Sequence, residues 1–352
     1  MADMSKSRRG QQTRQAESAK PGRKLSGQTL FLIAAVVLSC LAVGYVAFVM
    51  DHGRNGRAQA GDSKLRLEDI PFDGARAYEY LKQICAIGPR RSGSKGMEAQ
   101  QKLLMEHFGK LGGQVKLQKF DVRHPVDGSK VPMANLIVQW HPDRKERILL
   151  CAHYDTLPLP MLDPVNPRGT FIGANDGGSG VALLMELGHH MADFESAYGV
   201  DFVLFDGEEF IFREDHPYFR GSGYFASDYR RRRPPYKYRW GVLLDMIGDK
   251  NLDIYEEANS MSWPDTRPLV EQIWATARRL GVREFIPQVK HTILDDHLPL
   301  RNTGGIPTCD VIDYDYPPWH TQGDTLDKCS ALSLAKVGWV IHEWLKSLKA
   351  SG

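Results

Sequence analysis

The chain has 352 residues, of which 42% are hydrophobic and 25% are charged, a composition typical of folded proteins and sufficient for one large domain or two small ones. The formal net charge of +2 is uneven: residues 1–29 hold seven Lys/Arg and two acids, a net of +5, which leaves −3 for the rest. Because a nucleic-acid-binding domain is basic over its folded part, the sequence argues against nucleic acid as a partner.

Residues 30–50, LFLIAAVVLSCLAVGYVAFVM, carry no charge. As a helix rising about 1.5 Å per residue, this segment spans a hydrocarbon core of roughly 30 Å. Since the basic residues precede it, the positive-inside rule predicts a single-pass signal-anchor, with the N-terminus in the cytoplasm and the large domain on the periplasmic or luminal side. The alternative is a secretory signal that is cleaved near AQA at 58–60, which would release the protein from the membrane.

The sequence therefore divides into a basic cytoplasmic tail (1–29), a transmembrane anchor (30–50), a polar tether (51–64) and a folded domain (65–352). Apolar residues at helical spacing predict helices at 75–87, 96–111, 179–192, 266–280 and 331–349. Short apolar runs predict strands at 134–140, 147–153, 201–206, 241–247 and 306–312. This alternation predicts an α/β three-layer sandwich with a mostly parallel mixed central sheet. The unbroken apolar runs indicate strands that are buried on both faces.

Acids and a histidine follow three of the predicted strands, at the edge where open α/β sheets place their binding sites. His153 and Asp155 end the first of these strands, DGEE (206–209) follows the second, and Asp245 lies near the end of the third. Asp155 is placed to orient the His153 ring. The position of Asp245 argues against a purely structural role, because an unpaired carboxylate in an apolar strand is costly.

Two loops add Asp176, in GANDGGSG, and His320, in PPWHTQGDT. Histidines and carboxylates are ligands of zinc, and a catalytic zinc needs three protein ligands and one open position. In the pair Glu208 and Glu209, one acid can bind metal while the other stays free as a general base. Each candidate also has a structural alternative, such as a hydrogen-bonded histidine, a helix start or a turn cap. Their joint presence on one sheet favours a single metal site.

Five motifs, in chain order, resemble the zinc-dependent aminopeptidase superfamily: HYD (153–155), GANDGGSGVALLMEL (173–187), FDGEEF (205–210), LLDMIGD (243–249) and WHTQGDT (319–325). Further features are similar to its glutaminyl-peptide cyclotransferase branch, the glutaminyl cyclases: GPRRSGSKG (88–96), DDHLPLRNTGGIP (295–307) and Trp319 directly before His320. The resemblance runs from about residue 70 to the C-terminus and implies the zinc exopeptidase-like fold.

The resemblance implies that Asp176, Glu209 and His320 bind a catalytic zinc ion and that Glu208 is the general base and acid. It also implies the reaction: the N-terminal glutamine of a peptide or protein is converted to pyroglutamate, and ammonia is released. The predicted protein is thus an acyltransferase that acts on peptide N-termini.

The resemblance leaves open how many zinc ions are bound. In the two-zinc aminopeptidases, residues equivalent to His153 and Asp245 hold a second zinc. In the cyclases one zinc is usual, and the equivalent of Asp245 is a proton partner or a substrate anchor. The position of Asp295 belongs to the active-site hydrogen-bond network of the cyclases, and that of Trp319 to the wall of the substrate pocket.

Two positions depart from the cyclase pattern. Where the animal cyclases have a pocket tryptophan after GEE, this chain has FIFRED (210–215). Phe212 is the nearest aromatic residue and is the candidate for substrate binding at that place. Where they have a histidine in the strand before the last ligand, this chain has Asp310. If Asp295 and Asp310 are close, the pKa of one should rise unless a cation intervenes.

Two rival functions remain. A two-zinc aminopeptidase would hydrolyse the N-terminal peptide bond, and its potential ligands are all present. A membrane-anchored binding protein without metal is disfavoured, because such a protein should have lost ligands or the base.

Outside the anchor, Cys85, Cys151, Cys309 and Cys329 allow one or two disulfides, whose pairing the sequence does not reveal.

Overall fold

The computed structural model describes residues 63–348 of the chain. The predicted tail, the transmembrane anchor and most of the tether lie outside the described residues and stay predictions. Among residues 63–348, no helix combines the length and the apolar character that crossing a bilayer requires.

Helices and strands alternate along the described residues, as predicted. The helices are α1 (Gly74–Ile87), α2 (Lys95–Lys110), α3 (Ser179–Leu187), α4 (Arg220–Arg232), α5 (Ala258–Ser262), α6 (Arg267–Leu280), α7 (His297–Asn302) and α8 (Ala331–Ser347). The strands are β1 (Gln114–Arg123), β2 (Lys130–Trp140), β3 (Glu146–His153), β4 (Gly199–Phe205), β5 (Lys237–Asp245), β6 (Ile254–Glu257), β7 (Phe285–Lys290) and β8 (Thr308–Ile312). The sequence patterns did not predict the strands β1, β6 and β7 or the helices α4, α5 and α7.

The central sheet of the described region has six strands in the order β1-β2-β4-β3-β5-β8. Strands β4, β3, β5 and β8 run parallel to one another, whereas β2 is antiparallel to both β1 and β4. Strands β6 and β7 form a separate parallel pair. The predicted mostly parallel mixed sheet is therefore confirmed.

Helices cover both faces of this sheet. On β3, Ile148 and Leu150 belong to a buried apolar cluster with residues of α1, α2, α3, α6 and α8. Leu149 and Cys151 belong to a second cluster, which includes Phe225 of α4. Successive side chains of a strand point to opposite faces, so the two clusters lie on opposite sides of the sheet. The predicted three-layer sandwich is confirmed, and burial on both faces explains the unbroken apolar runs.

The strands are firm supports for the polar residues that follow them. Each fully buried aliphatic side chain stabilises the fold by about 1.5–3 kcal/mol, and every residue of β4 is buried.

Covalent cross-links add nothing here, because Cys85, Cys151, Cys309 and Cys329 are all free thiols. The disulfides that the sequence allows are thus not formed among the described residues.

Candidate metal centre and active site

Three strand ends bring polar residues to one edge of the sheet. β3 ends at His153, β4 at Phe205 and β5 at Asp245. The parallel register pairs His153 with Phe205, so residues 206–209 continue the chain beside His153. The predicted strand-end residues therefore lie together, at the carboxyl edge where α/β sheets bind their ligands.

Asp176, Glu209 and His320 form one compact group of buried side chains, whose potential ligand atoms lie within 4.8 Å of one another. His320 Nε2 is 2.7 Å from Glu209 Oε1 and 3.7 Å from Asp176 Oδ2. One imidazole and two carboxylates are a typical ligand set of a catalytic zinc ion. The structure thus assembles the three residues that the sequence nominated as ligands.

His153 and Asp245 lie at the other carboxylate oxygen of Asp176. His153 Nε2 is 3.1 Å from Asp176 Oδ1 and 3.2 Å from Asp245 Oδ1. These three residues form a second group within the same limit of 4.8 Å. Asp176 therefore belongs to both groups, as a carboxylate that bridges two metal ions would.

Several polar atoms of the centre have no partner within the described part of the chain. Asp176 Oδ2 and His153 Nδ1 are buried and make no hydrogen bond there. Burial and the nearby charge of Asp176 raise the pKa of Glu209 to about 7, because crowded carboxylates favour protonation when no cation is near. A zinc ion would supply both the missing charge and the missing partners, so these residues fit zinc.

The backbone is unusual at two points of this centre. Gly177 has a φ of +74°, and a Cβ atom there would lie 2.4 Å from the Asp155 carbonyl oxygen and 3.0 Å from His153 Cε1. Only glycine permits this approach between Asp176 and the end of β3. His320 has a φ of 56°, which is rare for a residue with a side chain. Such strain persists where surrounding contacts impose it, and it is concentrated at functional sites.

Glu208 lies beside the Asp176–Glu209–His320 group without belonging to it, and it forms a third group within 4.8 Å with His153 and Glu209. Its Oε2 is 3.9 Å from His153 Nδ1, and burial raises the pKa of its carboxyl well above the ordinary value. Asp155 holds the turn in place, because its carboxylate accepts hydrogen bonds from the backbone N–H groups of Glu208 (3.1 Å) and Glu209 (3.2 Å).

Asp155 was expected to orient the His153 ring, but the structure gives it a different contact. Asp155 Oδ1 is 3.7 Å from His153 Nδ1, too far for a hydrogen bond. Its two oxygens are instead directed to the two backbone N–H groups of the GEE turn. The contact of Asp155 with the ring is therefore electrostatic, and its hydrogen bonds serve the adjacent acids.

Asp295 and Asp310 are both buried. Burial and the charge of Asp245 raise the pKa of Asp295, and burial and the charge of Asp295 raise that of Asp310, in both cases well above the ordinary value. His297, which sequence reasoning missed, places Nδ1 3.7 Å from Asp310 Oδ2 and Nε2 3.5 Å from Glu257 Oε2. The buried imidazole of His297 thus lies between two acids. One of them, Asp310, is at the strand position where the cyclase pattern has a histidine.

The two aromatic residues nominated for the substrate pocket lie in different surroundings. The Trp319 ring stacks on the His320 ring, with centroids 4.0 Å apart and an interplanar angle of 29°. Phe212 packs against Phe210 and His124, with centroids 5.5 Å and 4.6 Å away. Trp319 is therefore in contact with the metal group, and Phe212 belongs to a neighbouring aromatic cluster.

Asp324 is a second functional candidate that sequence reasoning missed, although it lies in the motif WHTQGDT. It is fully buried and accepts hydrogen bonds from the backbone N–H groups of Asn175 (2.9 Å) and Asp176 (3.1 Å) and from the Tyr316 hydroxyl (2.7 Å). Burial and the charge of Asp176 raise its pKa to about 7. Asp324 thereby fixes the loop that carries Asp176.

We expect Asp324→Asn to lower the affinity for zinc by about 10–100-fold, the usual effect of losing a group that orients a metal ligand. The asparagine amide has one acceptor oxygen where the carboxylate offers two, so one backbone N–H would face an NH₂ group. Competition with a chromogenic chelator measures the affinity. Asp327→Asn, which changes an exposed acid three residues further along, is the control. Equal affinities in the two variants would contradict this role.

Comparison with known proteins agrees with this geometry. The model of peptidase family M28 matches residues 135–345. A glutaminyl cyclase from Fimbriiglobus ruber is 41% identical, covers 79% of this chain and 96% of its own, and superposes with a TM-score of 0.76. A Zn-dependent exopeptidase from Parabacteroides distasonis and a leucine aminopeptidase precursor from Bacteroides thetaiotaomicron are each 30% identical, with TM-scores of 0.74, and cover 79% of this chain and 99% and 98% of their own. The matched residues span more than half of the chain and include every metal-ligand candidate, so the chain belongs to peptidase family M28.

Proposed function

We propose that this protein is a zinc-dependent glutaminyl-peptide cyclotransferase, which converts the N-terminal glutamine of peptides and proteins to pyroglutamate and releases ammonia. The observation that carries the proposal is the Asp176–Glu209–His320 group with Glu208 beside it, in a chain that is 41% identical to a glutaminyl cyclase.

Asp176, Glu209 and His320 would hold the zinc ion. When bound there, the ion supplies a Lewis acid for the side-chain amide carbonyl of the substrate glutamine. The Trp319 ring, stacked on His320, covers this side of the centre. Its flat apolar surface provides a wall against which the short glutamine side chain can be held.

The substrate's own α-amine, with an unperturbed pKa near ~7.7, is the nucleophile. Its nitrogen forms a bond to the side-chain amide carbon, and the bond from that carbon to the amide nitrogen breaks. Glu208 accepts a proton from the attacking amine and donates one to the departing nitrogen, which leaves as ammonia. Burial raises the pKa of the Glu208 carboxyl above its ordinary value, which makes the carboxylate a stronger proton acceptor for the amine.

Asp245 and Asp295 complete the site as groups that position the amine. Asp245 Oδ1 is 3.2 Å from His153 Nε2, and its charge contributes to the raised pKa of Asp295. A carboxylate at this place can accept a hydrogen bond from the α-amine and hold it towards the amide carbon. Holding an intramolecular reaction in its reactive conformer supplies a large part of the rate enhancement.

We propose one zinc ion per chain, with His153 and Asp245 hydrogen-bonded to each other rather than bound to a second ion. An aminopeptidase would use the same two residues as ligands, so the metal count separates the functions. The test uses the purified full-length protein, with ammonia release from a Gln-initiated peptide, amino-acid release from a Leu-initiated peptide, and zinc counted per chain. We expect ammonia release with one zinc. Leucine release with two zincs would overturn the proposal.

We also propose that residues 30–50 anchor the enzyme in a membrane, with the catalytic domain on the periplasmic or luminal side. The uncharged apolar stretch and its basic N-terminal flank support this arrangement. Protease added to spheroplasts or to sealed right-side-out vesicles should digest the domain from the extracytoplasmic side and leave residues 1–29 protected. Recovery of the domain in the soluble fraction would favour the cleaved signal.

A further inference from the structure

A cavity of about 360 Å³ lies beside the metal centre. Its lining includes Pro158, Leu159 and Phe210. The first two follow Leu157, whose backbone N–H donates a 2.9 Å hydrogen bond to Glu209 Oε2, and Phe210 directly follows Glu209. The cavity therefore shares its walls with the segments that hold a zinc ligand.

The charged residues of this lining are all basic. Arg91, Lys130 and His124 contribute to the cavity, and none of its lining residues is an acid. Lys130 is already paired with Asp121, at 2.9 Å. Arg91 forms no ion pair with any of the described residues, and its Nε is buried without a hydrogen-bond partner there. A guanidinium so placed attracts an anion, because a cation that has lost part of its hydration gains most from a charged acceptor.

The backbone that carries Arg91 is tied to the metal centre. The neighbouring residue, Arg90, is fully buried and donates from its guanidinium to the carbonyls of Ile172 and Gly173, which precede Asp176. The Arg90 backbone N–H donates to Thr156 Oγ1 at 2.9 Å. The backbone at Arg91 is thus held at a fixed place relative to the zinc ligands, as that of a specificity-determining residue must be.

Apart from Ser92 and Ser94, the remaining lining residues are glycine, aliphatic, proline or aromatic. Phe212, Phe210 and His124 form an aromatic cluster on one side, and Pro158 and Leu159 lie among the other lining residues. The cavity thus combines an apolar body with one unneutralised cation. A side chain that has a short aliphatic stem and ends in a carboxylate matches both features.

We propose that this cavity is the subsite for the residues that follow the N-terminal glutamine, and that Arg91 makes it select an acidic side chain at one of the next two positions. The inference rests on the proposed cyclotransferase function and names the class of peptide that the enzyme takes. The recognition is a charge-assisted hydrogen bond from the guanidinium to a Glu or Asp carboxylate.

The test compares kcat/KM for two peptide series, Gln-X-Ala-Ala and Gln-Ala-X-Ala, with X as Glu, Gln or Lys, using the full-length holoenzyme at low ionic strength. In at least one series we expect the Glu peptide to exceed the Lys peptide by about tenfold, the size of one charge-assisted hydrogen bond that solvent partly screens. Arg91→Gln should level the series, and Arg91→Glu should reverse its order. Ratios within one variant do not depend on the fraction of active enzyme.

Arg123→Gln is the matched control, because Arg123 is an exposed arginine at the end of β1 that does not line the cavity. It should keep the wild-type order of peptides. Equal kcat/KM for all peptides, or an order that Arg91→Gln leaves unchanged, would overturn the inference alone. Failure to cyclise any of the peptides would instead contradict the proposed function, and the inference with it.

Discussion

Replacing Glu208 by glutamine should lower kcat by about 10³-fold while the zinc content stays at the wild-type value. Glu208 lies beside the Asp176–Glu209–His320 group and outside it, so the substitution removes a proton acceptor and keeps the ligands. General acid–base catalysis contributes about 10²–10⁴-fold to enzyme rates. The glutamine amide is nearly isosteric with the carboxyl group but neither takes up nor releases a proton at neutral pH.

The measurement is ammonia release from a Gln-initiated peptide, together with zinc content by elemental analysis. Glu214→Gln, which alters an exposed acid six residues further along, is the control and should keep full activity. A Glu208→Gln enzyme that retains more than a tenth of the wild-type kcat would remove Glu208 from the mechanism. Loss of zinc in that variant would make Glu208 a ligand rather than a base.

His320→Ala should abolish both zinc binding and cyclisation. His320 Nε2 is 2.7 Å from Glu209 Oε1 and is the one imidazole of the proposed ligand set. Loss of a group that only orients a ligand costs about 10–100-fold in metal affinity, so loss of a ligand itself should cost more than about 100-fold. Without the metal, the buried carboxylates of Asp176 and Glu209 have no cation between them.

Chelator competition gives the zinc affinity, and ammonia release gives the activity. His141→Ala is a control, because His141 is a half-buried histidine that shares the left-handed backbone of His320, at a φ of 49°. Its Nε2–H donates to the Met191 carbonyl oxygen at 2.9 Å, and the residue has no contact with the metal group. Both variants change the same residue type in the same strained conformation, so a zinc affinity that falls equally in both would contradict the ligand role of His320.

The pairing of His297 with Asp310 bears on how this chain departs from the cyclase pattern. The pattern places a histidine in the strand, where this chain has Asp310. The structure brings another imidazole to that acid, since His297 Nδ1 is 3.7 Å from Asp310 Oδ2 and both side chains are fully buried. An acid and a histidine are therefore adjacent here as well, with the two residue types on different elements, β8 and α7.

Much of the fold was predictable because its signals are local. Strands buried on both faces appear as unbroken apolar runs, and β3 and β4 end within two residues of their predicted limits. Strand β1 was missed because it lies at the sheet edge and is only partly buried. Helix α4 was missed because its last turn is a run of arginines, which resembles a solvated loop as much as a helix.

The sequence by itself determined which residues supply the functional groups of the site. His153, Asp245 and the acids at 208–209 stand next to apolar strands, and the carboxyl ends of such strands meet in any parallel sheet. Asp176 and His320 were predictable through motifs whose residue types and order are specific. These assignments depend on neighbours in the chain, so periodicity and motif order suffice for them.

Only the tertiary structure decided which other residues fix these site residues in position. Asp324 binds the backbone of Asp176 across 148 residues, Asp155 binds that of Glu208 across 53, and Arg91 lines a cavity with Phe212. Such contacts follow from the strand order β1-β2-β4-β3-β5-β8 and from how the loops pack above it. Local spacing contains no information on that order, because hydrophobic burial selects which faces are covered and not which distant residues meet.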